Sequence, residues 1–221
     1  RIKSIVEDYS DKSFQLVAIS PNDPESVRLN ELGNSVYGDT LEDMKRHAED
    51  NDFNFPYLYD GDIDYERDYL ATYVNSSRSL AFLVHDGDQL VGATTALPLQ
   101  DEEPAFRKPL ADAGFDVARV FYFGESLLLS NYRGHGLGHR FFDEREAWAK
   151  QAGDFSHACF CAVQRPEEHP LRPAGYQPLD AFWQRRGFAR RDDINAFYRW
   201  RDIDQREETD KRLTFWIRAL N

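Results

Sequence analysis

The chain has 221 residues, 41% of them hydrophobic and 14% aromatic, which is ample material for one sizeable core. Its 39 acidic and 27 basic side chains leave a formal net charge of −12, which argues against a nucleic-acid surface or an anionic membrane as partner. That charge is compatible with a cationic or amine substrate, although an ordinary acidic surface accounts for most of it. No apolar run reaches the ~18 residues of a membrane span. Residues 1–4 lack the apolar core of a secretory signal.

In chain order, residues 13–20 predict a first strand. Residues 23–37 and 40–50 predict helices, with Pro24 suited to a first turn. Residues 51–64 form a polar, aromatic loop in which Asp60, Asp62 and Asp64 lie near Phe53, Phe55, Tyr57 and Tyr59, a composition able to hold a cation. Residues 65–74 carry an amphipathic helical pattern. The apolar runs 80–84 and 90–97 are joined by His85-Asp86-Gly87-Asp88, a hairpin signal. Residues 102–113 read as a helix or loop insert interrupted by Pro104 and Pro109.

Residues 120–129 predict an apolar strand, 137–151 a helix and 155–163 another strand. Cys159 and Cys161 share a face of that strand with His157, too far apart along it for an easy disulfide and too few for a metal centre. Reduced thiols in a cytoplasmic setting are the plain reading. A proline-rich loop follows over 164–177. A short helix over 179–186 is then capped by Gly187. Strands over 194–200 and 213–220 end the chain. The order implies an α/β class (mixed α+β) with helices on a mixed sheet, in one domain over 1–221: residues 1–78 as an N-terminal strand and helices, and 79–221 as the core with the hairpin and the C-terminal strands.

The most informative stretch is Arg133-Gly134-His135-Gly136-Leu137-Gly138, between the strand over 120–129 and the helix after it. Glycines at alternate positions leave the backbone N–H groups open, and a helix N-terminus attracts anions. The stretch is a candidate phosphate cradle; the alternative is a simple strand-to-helix turn. No Gly-Lys-Ser/Thr follows, so it is not a Walker A loop. Its Gly-x-Gly-x-Gly spacing and late position do not fit a dinucleotide fingerprint.

The hexad resembles the pyrophosphate loop of the GNAT superfamily of acyl-CoA-dependent N-acyltransferases, whose signature is Gln/Arg-x-x-Gly-x-Gly/Ala. Phe121-Tyr122-Phe123-Gly124-Glu125-Ser126-Leu127-Leu128-Leu129 resembles the family's fourth strand. Phe182-Trp183-Gln184-Arg185-Arg186-Gly187-Phe188 resembles its Phe-Tyr-x-x-x-Gly-Phe motif. The likeness spans roughly 80–200.

The resemblance implies a central, mostly antiparallel, splayed sheet flanked by helices, with acetyl-CoA as cosubstrate and no metal. It implies pyrophosphate contacts from Arg133, Gly134, His135, Gly136, Leu137, Gly138 and His139. Backbone contacts to the pantetheine arm would come from Leu127, Leu128 and Leu129, and flanking contacts from Trp183 and Arg185. The expected reaction is acetylation of a small-molecule amine by direct attack. The alternatives are a non-catalytic acyl-CoA-binding module and a nucleotide-binding enzyme. No motif specifies the assembly, and a homodimer is open to it.

An amine attacks only when neutral, so a base is expected. Glu125, within an apolar strand where desolvation would raise its pKa, is the candidate base; a structural strand-end Glu is the alternative. The motif's usual Tyr is Trp183 here, so the proton donor to the departing thiolate passes to Tyr176, ahead of Tyr198 and Tyr122.

Overall fold

The computed structural model describes residues 7–9, 14–19 and 72–220, apart from 87–88, 173–174, 201 and 203–204. The helices expected over 23–37 and 40–50, the acidic loop 51–64 and most of the helix over 65–74 lie outside the described residues. Residues 72–75 end a helix.

Eight strands form one sheet: β1 (Glu7–Tyr9), β2 (Phe14–Ile19), β3 (Leu80–Asp86), β4 (Gln89–Pro98), β5 (Val120–Leu128), β6 (His157–Val163), β7 (Ala189–Trp200) and β8 (Thr209–Ala219). Their spatial order is β1-β2-β3-β4-β5-β6-β8-β7. Every neighbouring pair is antiparallel except β5 and β6. Besides the helix end at 72–75, three α-helices stand among the described residues: α1 (Pro104–Asp112), α2 (Leu137–Ala152) and α3 (Asp180–Arg185).

Strand alternation gives the sheet two apolar faces. Phe121 and Phe123 of β5 point to the α2 side, where Phe82, Phe141, Phe142, Phe160, Phe188 and Trp216 complete one core. Val120 and Tyr122 point the other way, onto Leu97, Leu99, Phe106, Leu110, Ile194 and Phe215 beside α1. The mixed, largely antiparallel sheet agrees with the expected class.

Four elements differ from expectation. Strand β1 has no counterpart among the expected elements. β7 begins at Ala189 instead of 194, because Arg190, Arg191, Asp192 and Asp193 offer no apolar alternation on an edge strand, and β8 begins at Thr209 instead of 213. The 102–113 insert resolves into α1. Pro104 sits at the start of α1, where a missing N–H costs nothing, and Pro109 lies inside at the loss of one backbone bond.

The feature that positions the site is where β5 and β6 stop pairing. Their parallel ladder holds Val120 to His157, Phe121 to Ala158 and Tyr122 to Cys159, and then ends. β5 nevertheless continues to Leu128 and β6 to Val163. The two strands diverge into a V-shaped slot, the splay the resemblance implied.

Candidate active site

The mouth of the slot is the glycine turn. Residues Ser130–Tyr132 make a single 3-10 turn after β5, and the Arg133 N–H donates to the Ser130 carbonyl at 3.0 Å. Gly134 and Gly136 have φ of +78° and +87°, a region costly for any residue with a Cβ. These two glycines are thus required by the turn itself. Gly138 is not: its φ is not positive, and a Cβ there would meet only the Phe182 ring edge at 3.8 Å, an ordinary contact. The space above Gly138 is open for a ligand.

Gly136 is the N-cap of α2 and carries no capping side chain, and the first helical bond runs from the Arg140 N–H to the Gly136 carbonyl at 3.1 Å. The N–H groups of Leu137, Gly138 and His139 therefore lie ahead of the intrahelical ladder, at the positive end of a helix of 16 residues. Gly134, His135, Gly136 and His139 are at least partly exposed, whereas Leu137 is buried as the anchor of the turn. Such an array binds a pyrophosphate without metal. Among the described residues no three His, Cys, Asp or Glu side chains gather as a metal centre.

The basic residues are partly committed. Arg133 Nε donates to the Leu128 carbonyl at 3.1 Å, fastening the turn to the end of β5. Arg140 pairs with Glu144 at 2.5 Å. His139 stands edge-on to Phe182 at 4.8 Å and so links the turn to α3.

The leucines divide by role. The Leu129 N–H donates to the Val91 carbonyl of β4 at 3.0 Å, so by strand alternation the backbone of Leu128 faces the slot. Leu128 and Leu129 also pack their side chains on the core, whereas Leu127 is 53% exposed.

The Phe182–Phe188 motif closes the far side. The Gly187 N–H bonds the Gln184 carbonyl at 2.9 Å and the Phe188 N–H bonds the Trp183 carbonyl at 3.0 Å, with Gly187 at φ +84°, a glycine helix stop. Arg186 bridges Asp143 and Glu146 of α2 at 2.7 and 2.9 Å, and Arg218 reaches Glu146 at 2.8 Å, so α3 is held against α2 by charge. Trp183 is half-buried against Phe160 at 5.0 Å and Trp216 at 5.1 Å; Arg185 is exposed.

Glu125 lies at a β-bulge. The pairing with β4 passes from Thr94–Ser126 to Ala96–Phe123, which leaves Gly124 and Glu125 opposite Thr95. The Glu125 N–H donates to Thr95 Oγ1 at 3.0 Å, and Thr94 Oγ1 donates to the Glu125 carbonyl at 2.8 Å. The bulge turns the Glu125 side chain outward, where it is exposed. The desolvation expected from its apolar neighbours is therefore corrected: the hydrophobic run is buried only as far as Phe123.

A buried carboxylate that sequence reasoning missed is Glu102. It is 2% exposed, at the foot of α1. Tyr73 Oη donates to its Oε2 at 3.3 Å and the Glu103 N–H to its Oε1 at 3.1 Å. Burial dominates and pushes its pKa up to about 7 against both hydrogen bonds, with the charges of Glu103 and Glu125 adding to the rise. Its only trace in sequence is a Glu-Glu-Pro following an apolar run, because its partner lies 29 positions away.

Arg145 was missed as well. It is 2% exposed on α2, over Phe123 at 4.5 Å and Phe142 at 4.6 Å, and donates to Ser126 Oγ at 3.1 Å. Burial lowers its pKa to about 9, but it remains a cation at neutral pH beside β5.

Tyr176 is 44% exposed in the loop before α3, with the Arg172 guanidinium over its ring at 5.6 Å. Tyr122 Oη contacts Cys161 Sγ at 3.1 Å across the slot, and Tyr198 stacks on Phe106 at 5.5 Å. Burial pushes the Cys161 thiol up to about 12 and the Cys159 thiol well above its usual value, so neither is a nucleophile at neutral pH.

A splayed β5–β6 slot, a bulged strand beside it and an uncapped helix N-terminus at its mouth define an acyl-CoA-dependent transferase. The acetyltransferase (GNAT) family model matches residues 42–188, and the chain belongs to that family. Solved structures agree on the fold. An acetyltransferase of the GNAT family from Streptococcus pneumoniae aligns with a TM-score of 0.52 at 11% identity, covering 93% of this chain and 99% of its own. Arabidopsis thaliana NAA60 in complex with acetyl-CoA aligns with a TM-score of 0.52 at 14% identity, covering 94% and 99%. No match is found among curated protein sequences. The chain is an acetyltransferase, with acetyl-CoA as its cosubstrate.

Proposed function

We propose that this acetyltransferase transfers the acetyl group to a small-molecule amine by direct attack. One observation supports the reading most: the exposed Glu125 side chain stands on a bulge beside the slot, one strand-length from the glycine turn. The donor's pyrophosphate would lie on the N–H groups at Gly136–His139 and its pantetheine along the Leu128 edge. The thioester would then reach the bulge. An acidic chain with a carboxylate there favours an ammonium acceptor over an anionic one.

Glu125 is the proposed acceptor-facing base, and Tyr176 the proposed proton donor to the departing thiolate. A thiol of pKa ~8.5 is a tolerable leaving group, so Tyr176 has the lesser part. Two free cysteines, one of them buried, suit a reducing cytoplasmic setting.

The test is an amine panel assayed with acetyl-CoA and mass-spectrometric detection of the acetylated product. With an amine that turns over, Glu125→Gln is expected to lose transfer at neutral pH and to keep wild-type acetyl-CoA affinity. Full activity in Glu125→Gln removes it as the base, and the absence of any acetylated amine contradicts the small-molecule reading.

A further inference from the structure

We propose that Tyr73 and Glu102 form the proton-holding pair of the acceptor site, Glu102 being the residue on which the proton released by the amine comes to rest. The inference rests on the amine-transfer reading above and adds residues that no motif of the family supplies.

The geometry carries it. The Tyr73 hydroxyl sits in the space a Cβ of Gly124 would fill, directly under the bulge that displays Glu125, and it donates to Glu102 Oε2 at 3.3 Å. It thus lies against the backbone of Gly124, the chain neighbour of Glu125, and is hydrogen-bonded to Glu102. Glu102 is buried, and its hydrogen-bond donors are Tyr73 and the Glu103 N–H; among the described residues no cation pairs with it. A buried carboxylate without a cation is costly when charged, so it favours holding a proton.

The surrounding groups oppose the charged form. Glu103 adjoins it in the chain, Glu125 faces it from β5, and Cys159 and Cys161 of β6 also feel its charge. Arg145, from the α2 side, is coupled electrostatically to Tyr73 and Glu125. Glu125 is exposed at the bulge, where it meets solvent and the acceptor, whereas Glu102 is enclosed behind it. Glu102, pushed up to about 7, is where the released proton is held at neutral pH.

The step balances. The acceptor ammonium gives one proton to Glu125. It passes to the Tyr73 oxygen as Tyr73's own proton moves to Glu102 Oε2. The neutral amine forms the N–C bond to the thioester carbonyl carbon, the C–S bond breaks with its electron pair on sulfur, Tyr176 gives its proton to that sulfur, and the second nitrogen proton restores Tyr176. Glu102 then returns its proton to solvent by the same route.

The experiment is the pH dependence of kcat/KM for wild type, Glu102→Gln and Tyr73→Phe, on an amine the wild type acetylates, with acetyl-CoA affinity measured in parallel. The wild type is expected to rise through an acidic limb near pH 7. Both variants are expected to lose at least tenfold in kcat/KM near neutrality with acetyl-CoA affinity unchanged, and Glu102→Gln to lose that limb. Tyr73→Phe removes one hydroxyl only, so it reports even if Glu102→Gln folds poorly. Wild-type rate and limb in either variant overturn the inference and leave the amine-transfer reading standing. A wild type that acetylates no amine overturns both.

Discussion

The Tyr73 hydroxyl occupies the space that a Cβ on Gly124 would need, and Thr95 Oγ1 stands 2.7 Å from the same point. The β5 bulge and the helix ending at residue 75 are therefore fitted to each other through a missing side chain. Gly124→Ala is expected to cost about 1–3 kcal/mol, as overpacking does, and to lower turnover by displacing Tyr73. Chemical denaturation alongside an acetyl-transfer assay checks this, and wild-type values in both contradict it.

Gly134 and Gly136 are held at positive φ, and no atom lies within 4 Å of the place a Cβ would take on either, so conformation alone resists a side chain there. Alanine at either site is expected to cost about 1–2 kcal/mol. The same change at Gly138, in helical backbone with room for a Cβ, is expected to leave stability unchanged or slightly raised. Thermal unfolding of the three variants distinguishes them; equal losses at all three positions would count against this division of roles.

Glu102 makes stability depend on pH in a direction opposite to most carboxylates. Its folded pKa, pushed up to about 7, lies above the unfolded value of ~4.3. Its favourable contribution is therefore complete below ~4.3 and lost as pH rises through about 7. Glu102→Gln is expected to be more stable than wild type above pH ~7, by up to about 3 kcal/mol, and close to it below pH ~4. Urea titrations at the two pH values measure this. A variant less stable at high pH would refute the burial argument.

Asp202 behaves in the usual sense. Burial alone would raise its pKa, but Arg165 through two bonds of 2.7 Å, Trp200 Nε1 at 2.9 Å and Lys211 at 3.3 Å together bring it down to about 2. Its stabilisation is present above ~3.9 and lost as pH falls through about 2. The clamp ties the start of the proline-rich loop to the β7–β8 hairpin. Asp202→Asn is expected to cost about 2–3 kcal/mol at neutral pH and to flatten acid unfolding between pH ~4 and ~2. An acid titration monitored by circular dichroism tests it, and an unaltered acid limb would contradict it.

What the sequence made legible was what local pattern encodes. The β3–β4 hairpin followed from two apolar runs around Asp-Gly, and α2 from the glycine turn. The tight turn at Gly134 and Gly136 followed from the alternating glycines. The splay was accessible only through the family resemblance, because an unpaired strand edge such as that of Leu128 has no signature in side-chain periodicity. Glu125 was found but its surroundings were misjudged, since a bulge reverses which face a side chain takes. Glu102 and Arg145 were invisible because their meaning comes from long-range burial against Tyr73, Phe123 and Phe142.

The central claim is that the turn opening α2 holds the donor's pyrophosphate, and Gly138→Asp tests it most directly. A carboxylate in the first turn of a helix favours the helix by about 0.3–1 kcal/mol but repels a pyrophosphate bound there. The side chain has room at this position, 3.8 Å from Phe182. Calorimetric titration with acetyl-CoA is expected to show wild-type binding and an affinity at least tenfold weaker in Gly138→Asp, with no fall in Tm. Equal affinities in the two proteins, or no acetyl-CoA binding by the wild type, would contradict the account.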